Sequence, residues 1–313
     1  HDRMPYRVFL AQVAARLRTT YDSQPNHYES AEHFIRDIEI VAASLGANQG
    51  RHAGLFSVER LLCRARTFGF HLATLDVRQH ASVHREVIRQ GLGLSDWKRR
   101  KTDARRAVLR EALVRDRGPA GSFDAIGRRT LAVFETLSQV RYKYGDRAIG
   151  DYVISGTEAP DDVLSVMLLA RWANITDRAN GEVPLDVVPL LETVSALEGA
   201  GPVLGTLLAE PSYRRHLAAR GGSQTVLIGF SESNKAVGIA ASRHAIYEAQ
   251  VELMKTAATA GVDLTLFYGR GGFDVINPRY FPYRQPDFRD PEAIKATGNQ
   301  PVPFMMLLRR LGR

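Results

Sequence analysis

Cysteine is almost missing from this chain: Cys63 is the only one among 313 residues. An intramolecular disulfide and a cysteine-rich zinc site are therefore excluded. Its surroundings, Leu61-Leu62 before and Arg64-Ala65 after, predict a buried helical thiol rather than a nucleophile. A single cysteine also fits a reducing compartment, so a cytoplasmic location is expected. Long apolar runs are missing too. None approaches the ~20 residues a helical membrane span requires, so no membrane partner is expected. The charged, polar start His1-Asp2-Arg3-Met4-Pro5 does not read as a secretory leader. A first residue other than methionine predicts a piece of a longer protein. No serine-histidine-aspartate order, zinc motif or internal repeat emerges.

Positive charge is plentiful. The formal net charge is +8, with 44% hydrophobic and 24% charged residues, the composition of an ordinary globular chain with a preference for anionic partners. The densest basic stretch, Lys98-Arg99-Arg100-Lys101 followed by Arg105, Arg106 and Arg110, is expected to be the solvated face of a helix. Its basic residues lack interleaved aromatics, which argues against a nucleic-acid partner.

Hydrophobic periodicity gives the organisation. Val8, Leu10, Val13, Ala14 and Leu17 recur at helical spacing, and further amphipathic helices are predicted from Ala31 to Ser44 and from Ser57 to Thr67. The period then changes at Gly69. Short β-like runs are expected at 71–78, 152–155, 187–191, 225–230 and 264–268. Helical stretches lie between them, at 82–90, 104–114, 130–143, 160–173, 195–208 and 237–260, the last stopped by Gly261. Alternation of this kind predicts parallel βα units with short, buried strands. From residue 273 onward, prolines and aromatics crowd together, from Pro278, Tyr280 and Phe281 to Pro303, which suits irregular packing.

The chemistry-bearing residues fall at the carboxyl ends of the apolar runs: Arg78, Ser155, Glu192, Ser231 with Glu232, and Tyr268 with Arg270. Active sites of βα-barrels are assembled from several strand ends at that face, whereas an open doubly wound sheet gathers its ligands at one switch point. Arg78, Glu192, Glu232 and Arg270 are therefore expected at one rim. Glu192 and Glu232 are candidate ligands for a hard divalent cation such as Mg²⁺ or Mn²⁺. The alternative makes Glu192 a helix cap and Glu232 a solvated loop residue. Arg78 either meets a carboxylate, with Asp76 as one choice, or waits for an anionic ligand. Arg270 stands between the glycines of Gly269-Arg270-Gly271-Gly272, a turn whose backbone can approach a phosphate or carboxylate while the guanidinium grips it. Lys235 is a further anion candidate, and His71, His80 and His84 are the histidines available for acid–base work.

Together these pieces resemble phosphoenolpyruvate carboxylase across nearly all of residues 1–272. The matching segments run in family order: Met4-Pro5-Tyr6-Arg7, Leu75-Asp76-Val77-Arg78-Gln79 with His84, Tyr152-Val153-Ile154-Ser155 with Asp162-Val163-Leu164, Val188-Pro189-Leu190-Leu191-Glu192-Thr193, Ile228-Gly229-Phe230-Ser231-Glu232-Ser233-Asn234-Lys235, and the segment from Leu264 to Gly272. The resemblance implies an α/β, predominantly helical fold: a partial βα-barrel of the carboxylase type with large helical insertions, residues 1–272 forming its central part and 273–313 a tail outside the match. It implies a Mg²⁺- or Mn²⁺-dependent reaction joining bicarbonate to phosphoenolpyruvate, with oxaloacetate and phosphate as products, in a protein that is homo-oligomeric at full length. It places Arg78 and Arg270 on the substrate phosphate, Lys235 in bicarbonate handling, and the metal on Glu192 and Glu232.

Departures from the family pattern accompany the match. Glu232 replaces an aspartate, Ala236 replaces the aspartate after the lysine, and Tyr268 replaces a histidine and cannot act as an imidazole near neutral pH. A second glycine-arginine turn and the upstream threonine-alanine-histidine-proline motif are absent from these 313 residues. Two functions follow: a carboxylase family member whose isolated chain is inactive, or a non-catalytic relative that binds an anion or a partner.

Overall fold

The structure, a computed structural model, describes residues 4–22, 24–177 and 179–269. The proline-rich stretch expected as a tail lies outside the described residues. Three helices come first, α1 (Pro5–Tyr21), α2 (Ala31–Ala47) and α3 (Leu55–Phe68). Their apolar stripes meet in a small core of Val13, Tyr28, Phe34, Ile38 and Leu62. Leu62 is inside but Cys63 is exposed, contrary to the buried thiol expected from sequence. The reason is geometric. One residue along a helix turns the side chain by about 100°, and α3 buries a stripe too narrow to include both.

The main body alternates strands and helices, and it is mostly helical with one parallel sheet. Strand β1 (Leu75–His80) leads to α4 (Ala81–Leu92), α5 (Thr102–Val114) and α6 (Ala125–Tyr144). Then come β2 (Ile149–Ser155), α7 (Pro160–Trp172), β3 (Asp186–Leu191), α8 (Val194–Glu198), α9 (Ala200–Leu208) and α10 (Pro211–Ala219). β4 (Ser223–Gly229), α11 (Ser231–Ala260) and β5 (Asp263–Gly269) complete the described chain. The five strands pair in parallel in the order β1-β2-β3-β4-β5, so spatial order follows chain order without reversal.

Alternation along each strand divides the side chains between two faces. Tyr152, Ile154, Val187, Leu191, Val226 and Ile228 join the helices in the large core. Val153, Val188, Leu190, Leu227 and Phe267 form a separate apolar cluster on the other face. β2, β3 and β4 are buried on both faces, as near-continuous apolar strands should be. β1 departs from the expectation of a buried strand. It pairs only with β2 among the described strands, Leu75 is 63% exposed, and its polar residues outnumber its apolar ones. It also starts later than its apolar pattern suggests. Gly69 closes α3 with φ 51°, and Leu72 has φ 64°, so residues 71–74 turn before the strand begins. The predicted 195–208 helix is broken at Gly199 into α8 and α9, and α10 is an addition to the expected elements, although Pro211 is a favourable first residue for it.

The basic stretch is not a freely solvated face. Lys98 pairs with Glu86 at 3.0 Å, Arg100 with Asp96 at 2.9 Å, Arg105 with the buried Asp161 at 2.5 Å and Arg110 with the buried Glu210 at 2.8 Å. The last two tie α5 to α7 and to the start of α10. Removing either arginine would leave a buried carboxylate without its partner.

Two buried histidines give the fold a pH dependence. His84 Nε2 lies 2.9 Å from the Tyr152 hydroxyl, and Phe134 stacks on the Tyr152 ring at 5.1 Å. His216 packs against Tyr213 at 5.5 Å. Burial pushes each imidazole down to about 4, against the opposing pull of Asp162 on His84 and Asp186 on His216. The unfolded chain takes up protons at both sites near the ordinary value of about 6.5, whereas the folded chain resists them down to about 4. Stability therefore falls as pH drops from about 6.5 to about 4. The expected loss is on the order of 3 kcal/mol per histidine, since each tenfold difference in proton affinity between the folded and unfolded chains is worth about 1.4 kcal/mol. Denaturant unfolding at pH 7.0, 5.5 and 4.5 checks it. His84→Gln should remove about half of the slope, and an unchanged slope in that variant would show that His84 is not responsible.

Candidate active site

The carboxyl ends of β1, β2 and β3 bring three chain segments together. Arg78 is in register with Val153, which is in register with Val188, so all three side chains leave the same face. That face carries the apolar cluster apart from the helices, and Glu192, two residues past Leu190, extends it at the rim. Arg78 Nη2 stands 3.7 Å from Glu192 Oε2. The other carboxylate oxygen, Oε1, accepts the backbone N–H of Gly156 at 2.8 Å. Glu192 is thus fixed from one side by backbone and touched from the other by a long, loose ion pair. The Arg78 side chain is 60% exposed and that of Glu192 only 17%. A pair of this length and exposure is worth ~0–1 kcal/mol, so a doubly charged anion can displace it.

Asp76, one possible partner for Arg78, is engaged elsewhere, because its Oδ1 accepts the N–H of Asp151 at 2.8 Å. Glu192 is not the cap of α8 either. Thr193 Oγ1 takes that role, accepting the N–H of Ala196 at 3.2 Å.

Two glycines shape this rim. Gly156 follows β2 with φ 64°, and a Cβ there would fall 2.5 Å from His80 Nε2. The imidazole of His80 caps α4 through Nδ1, which accepts the N–H of Ser82 at 3.1 Å. Gly229 ends β4, where a Cβ would approach the Glu192 Cβ to 2.7 Å. The end of β4 can therefore lie against Glu192 only because it carries no side chain. Sequence reasoning did not single out Gly156 for the site. The available signal was a glycine directly after the apolar run that ends in Ser155.

Glu232 and Lys235 follow at the first turn of α11, and they bond to each other at 2.9 Å while both remain exposed. Glu232 is therefore helical and paired, not a loop residue. Tyr268 lies on the opposite side of β5 from Phe267. It packs against the helix-side core, 5.7 Å from the ring of Phe230. Of the other histidines considered for acid–base work, His84 is buried on that same helix side, and His71 lies in the turn before β1, its imidazole held below the ordinary range by burial. Arg270 lies outside the described residues.

Glu192 after β3 and Glu232 in the first turn of α11 are the carboxylates here that could hold a hard cation, since Mg²⁺ characteristically takes one or two protein carboxylates with the remainder from water and substrate phosphate. No group of three or more metal-ligating side chains gathers among the described residues. No described helix is long and apolar enough to cross a membrane.

Comparison with known proteins adds an independent line. The sequence profile of the phosphoenolpyruvate carboxylase family matches residues 1–273. The phosphoenolpyruvate carboxylase of Xanthomonas oryzae pv. oryzae (strain MAFF 311018) is 46% identical over 280 residues, covering 87% of this chain and 30% of its own length. That of Rhodothermus marinus is 35% identical over 288 residues, covering 85% and 31%. That of Azorhizobium caulinodans is 33% identical over 294 residues, covering 87% and 32%. The chain spans about 30% of the length of the curated relatives it matches.

Proposed function

The chain belongs to the phosphoenolpyruvate carboxylase family, and from that premise we propose that its rim serves the carboxylation of phosphoenolpyruvate by bicarbonate, yielding oxaloacetate and phosphate. The observation that carries this reading is the contact between Arg78 and Glu192. It sets an exposed guanidinium beside a backbone-held carboxylate at the carboxyl ends of adjacent strands. We take the five-stranded sheet as an arc of a βα-barrel. Its sequential parallel order and the apolar cluster on the face away from the helices both support that view.

In this reading Arg78 is the substrate's anchor. Its planar guanidinium can donate two parallel hydrogen bonds to a phosphate, which orients the phosphate relative to the enol carbon. Glu192 would release Arg78 to the phosphate and, with Glu232, would hold Mg²⁺ or Mn²⁺. When bound, the cation supplies charge neutralisation to the substrate's oxygens. Lys235 presents a positive charge to bicarbonate once freed from Glu232, and Arg270 adds a second phosphate contact. The isolated chain is expected to hold the substrate without turning it over, in keeping with a cytoplasmic enzyme family whose full-length members are homo-oligomers.

Calorimetric titration of the chain with phosphoenolpyruvate, with and without Mg²⁺, tests this. Hydrogen bonds to charged groups contribute about 1.5–3 kcal/mol, so Arg78→Ala should weaken binding about 10- to 100-fold. Glu192→Gln should abolish the gain that Mg²⁺ gives the wild type. Binding that is indifferent to Arg78→Ala, or absent from the wild type, would sink the proposal.

A further inference from the structure

α11 is interrupted close to its start. Gly238 has φ 80° and ψ 166°, a conformation essentially reserved for glycine, which separates a short arm, residues 231–237, from the long helix that follows. The arm carries Glu232 and Lys235. Its root is anchored at the rim, because the preceding Gly229 lies against the Cβ of Glu192.

One side-chain hydrogen bond crosses the break among the described residues. Ser233 Oγ and Ser242 Oγ are 2.7 Å apart, and both serines are 0% exposed. Ser233 also donates to the carbonyl of Phe230 at 3.3 Å, which leaves Ser242 to donate across the joint. Apolar packing does not hold the bend at the break itself. Val237 and Ile239, on either side of Gly238, are 45% and 64% exposed. A Cβ built on Gly238 would meet nothing within 4 Å, so the demand for glycine there is purely torsional. The angle of the arm is thus held by the Gly238 torsion, the buried hydroxyl pair and the Arg243 guanidinium, which lies 5.8 Å from the ring of Phe230 at the root of the arm.

We propose that Ser242 is a positioning residue for the rim: through Ser233 it fixes the arm that carries Glu232 and Lys235 and that springs from the end of β4, where Gly229 lies against Glu192. This rests on the reading of Glu232 and Lys235 as cation and bicarbonate residues. Both serines are fully buried and their hydroxyls meet across the joint, whereas the other buried polar atom of the arm, Asn234 Oδ1, has no hydrogen-bond partner among the described residues. A buried hydroxyl that lost its partner would weaken the joint without removing any residue that touches substrate.

Hydrogen exchange by mass spectrometry on wild type and Ser242→Ala tests the joint. Exchange in residues 231–237 should rise about fivefold or more, with β4 and residues 245–260 unchanged. Unchanged exchange in the arm, or an equal rise throughout the chain, would overturn the proposal, since a merely structural serine loosens everything around it alike. Should Ser242→Ala not fold, Ser242→Cys makes the same comparison with a weak donor of similar size. In parallel, Mn²⁺ binding followed by electron paramagnetic resonance should weaken several-fold in Ser242→Ala. A wild type that binds no Mn²⁺ refutes the cation reading of Glu192 and Glu232, while the exchange pattern still decides the joint.

Discussion

Purified alone with Mg²⁺, bicarbonate and phosphoenolpyruvate, the chain is expected to form no oxaloacetate above the uncatalysed background. Tyr268 stands where the resemblance implies a histidine, and the fold compounds that change. Tyr268 packs on the helix side of β5 against Phe230, whereas Arg78 and Glu192 stand on the other face. Tyr268→His alone should therefore not restore turnover. Glu232 and Lys235 hold one another, Ala236 offers no carboxylate, and the sequence carries one glycine-arginine-glycine-glycine motif where the resemblance implies two. Loss of one acid–base group costs ~10²–10⁴-fold in rate, and loss of one donor to developing charge a further ~10²–10³-fold. Such losses do not multiply cleanly, yet partial compounding already takes turnover below detection. A malate dehydrogenase-coupled assay reads the outcome. Robust NADH consumption that disappears in Arg78→Ala would overturn the expectation.

The strand ends were legible in the sequence because buried parallel strands are continuous apolar runs, and a polar residue at the end of such a run must be at an edge of the sheet. That logic puts Arg78 and Glu192 at the ends of β1 and β3, where they meet, while Glu232 falls in the first turn of α11; it works best for β2, β3 and β4, which are covered on both faces. It worked poorly for β1. An edge strand needs no apolar face on its open side, so its pattern blurs into the preceding turn at residues 71–74. The short motifs that carry the family resemblance all fall within residues 1–273, which the family profile matches.

Pairings were far less legible. Nothing local to Arg78 selects Glu192 over Asp76. The choice follows from β1 and β3 flanking β2, and from Asp76 being spent on the N–H of Asp151. The basic stretch read as solvated because its partners Asp161 and Glu210 lie far along the chain. The direction of Tyr268 follows from strand register, and one residue of slip would have turned it to the opposite face. Cys63 was misplaced for the same kind of reason on a helix, where the adjacent Leu62 takes the inward position.

Replacing Asp162 should destabilise the chain more than any other single polar substitution near the rim. Its carboxylate is fully buried at the third residue of α7. Oδ1 accepts Arg85 Nε at 2.7 Å, and Oδ2 accepts Arg85 Nη2 at 2.8 Å together with the N–H groups of Glu158 at 3.0 Å and Ala159 at 3.2 Å. One side chain thus caps α7, neutralises Arg85 of α4 and closes the turn after Gly156. Asp162→Ala leaves the guanidinium with Glu158 alone, at 3.1 Å, and strands two N–H groups, an expected cost of about 3 kcal/mol. Asp162→Asn keeps the shape and one acceptor and should cost less, because the amide can still receive one N–H. The double change Arg85→Met with Asp162→Leu should recover part of the loss by removing a half-buried charge that has lost its closest carboxylate. The damage should also reach the rim. Gly156, whose N–H holds Glu192, is two residues before Glu158, so phosphoenolpyruvate binding should weaken in Asp162→Asn even where the chain stays folded. Urea unfolding at pH 7 with calorimetric titration of the folded variants reads both effects. A loss below about 1 kcal/mol in Asp162→Ala would show that water replaces the carboxylate and that the turn after β2 holds itself.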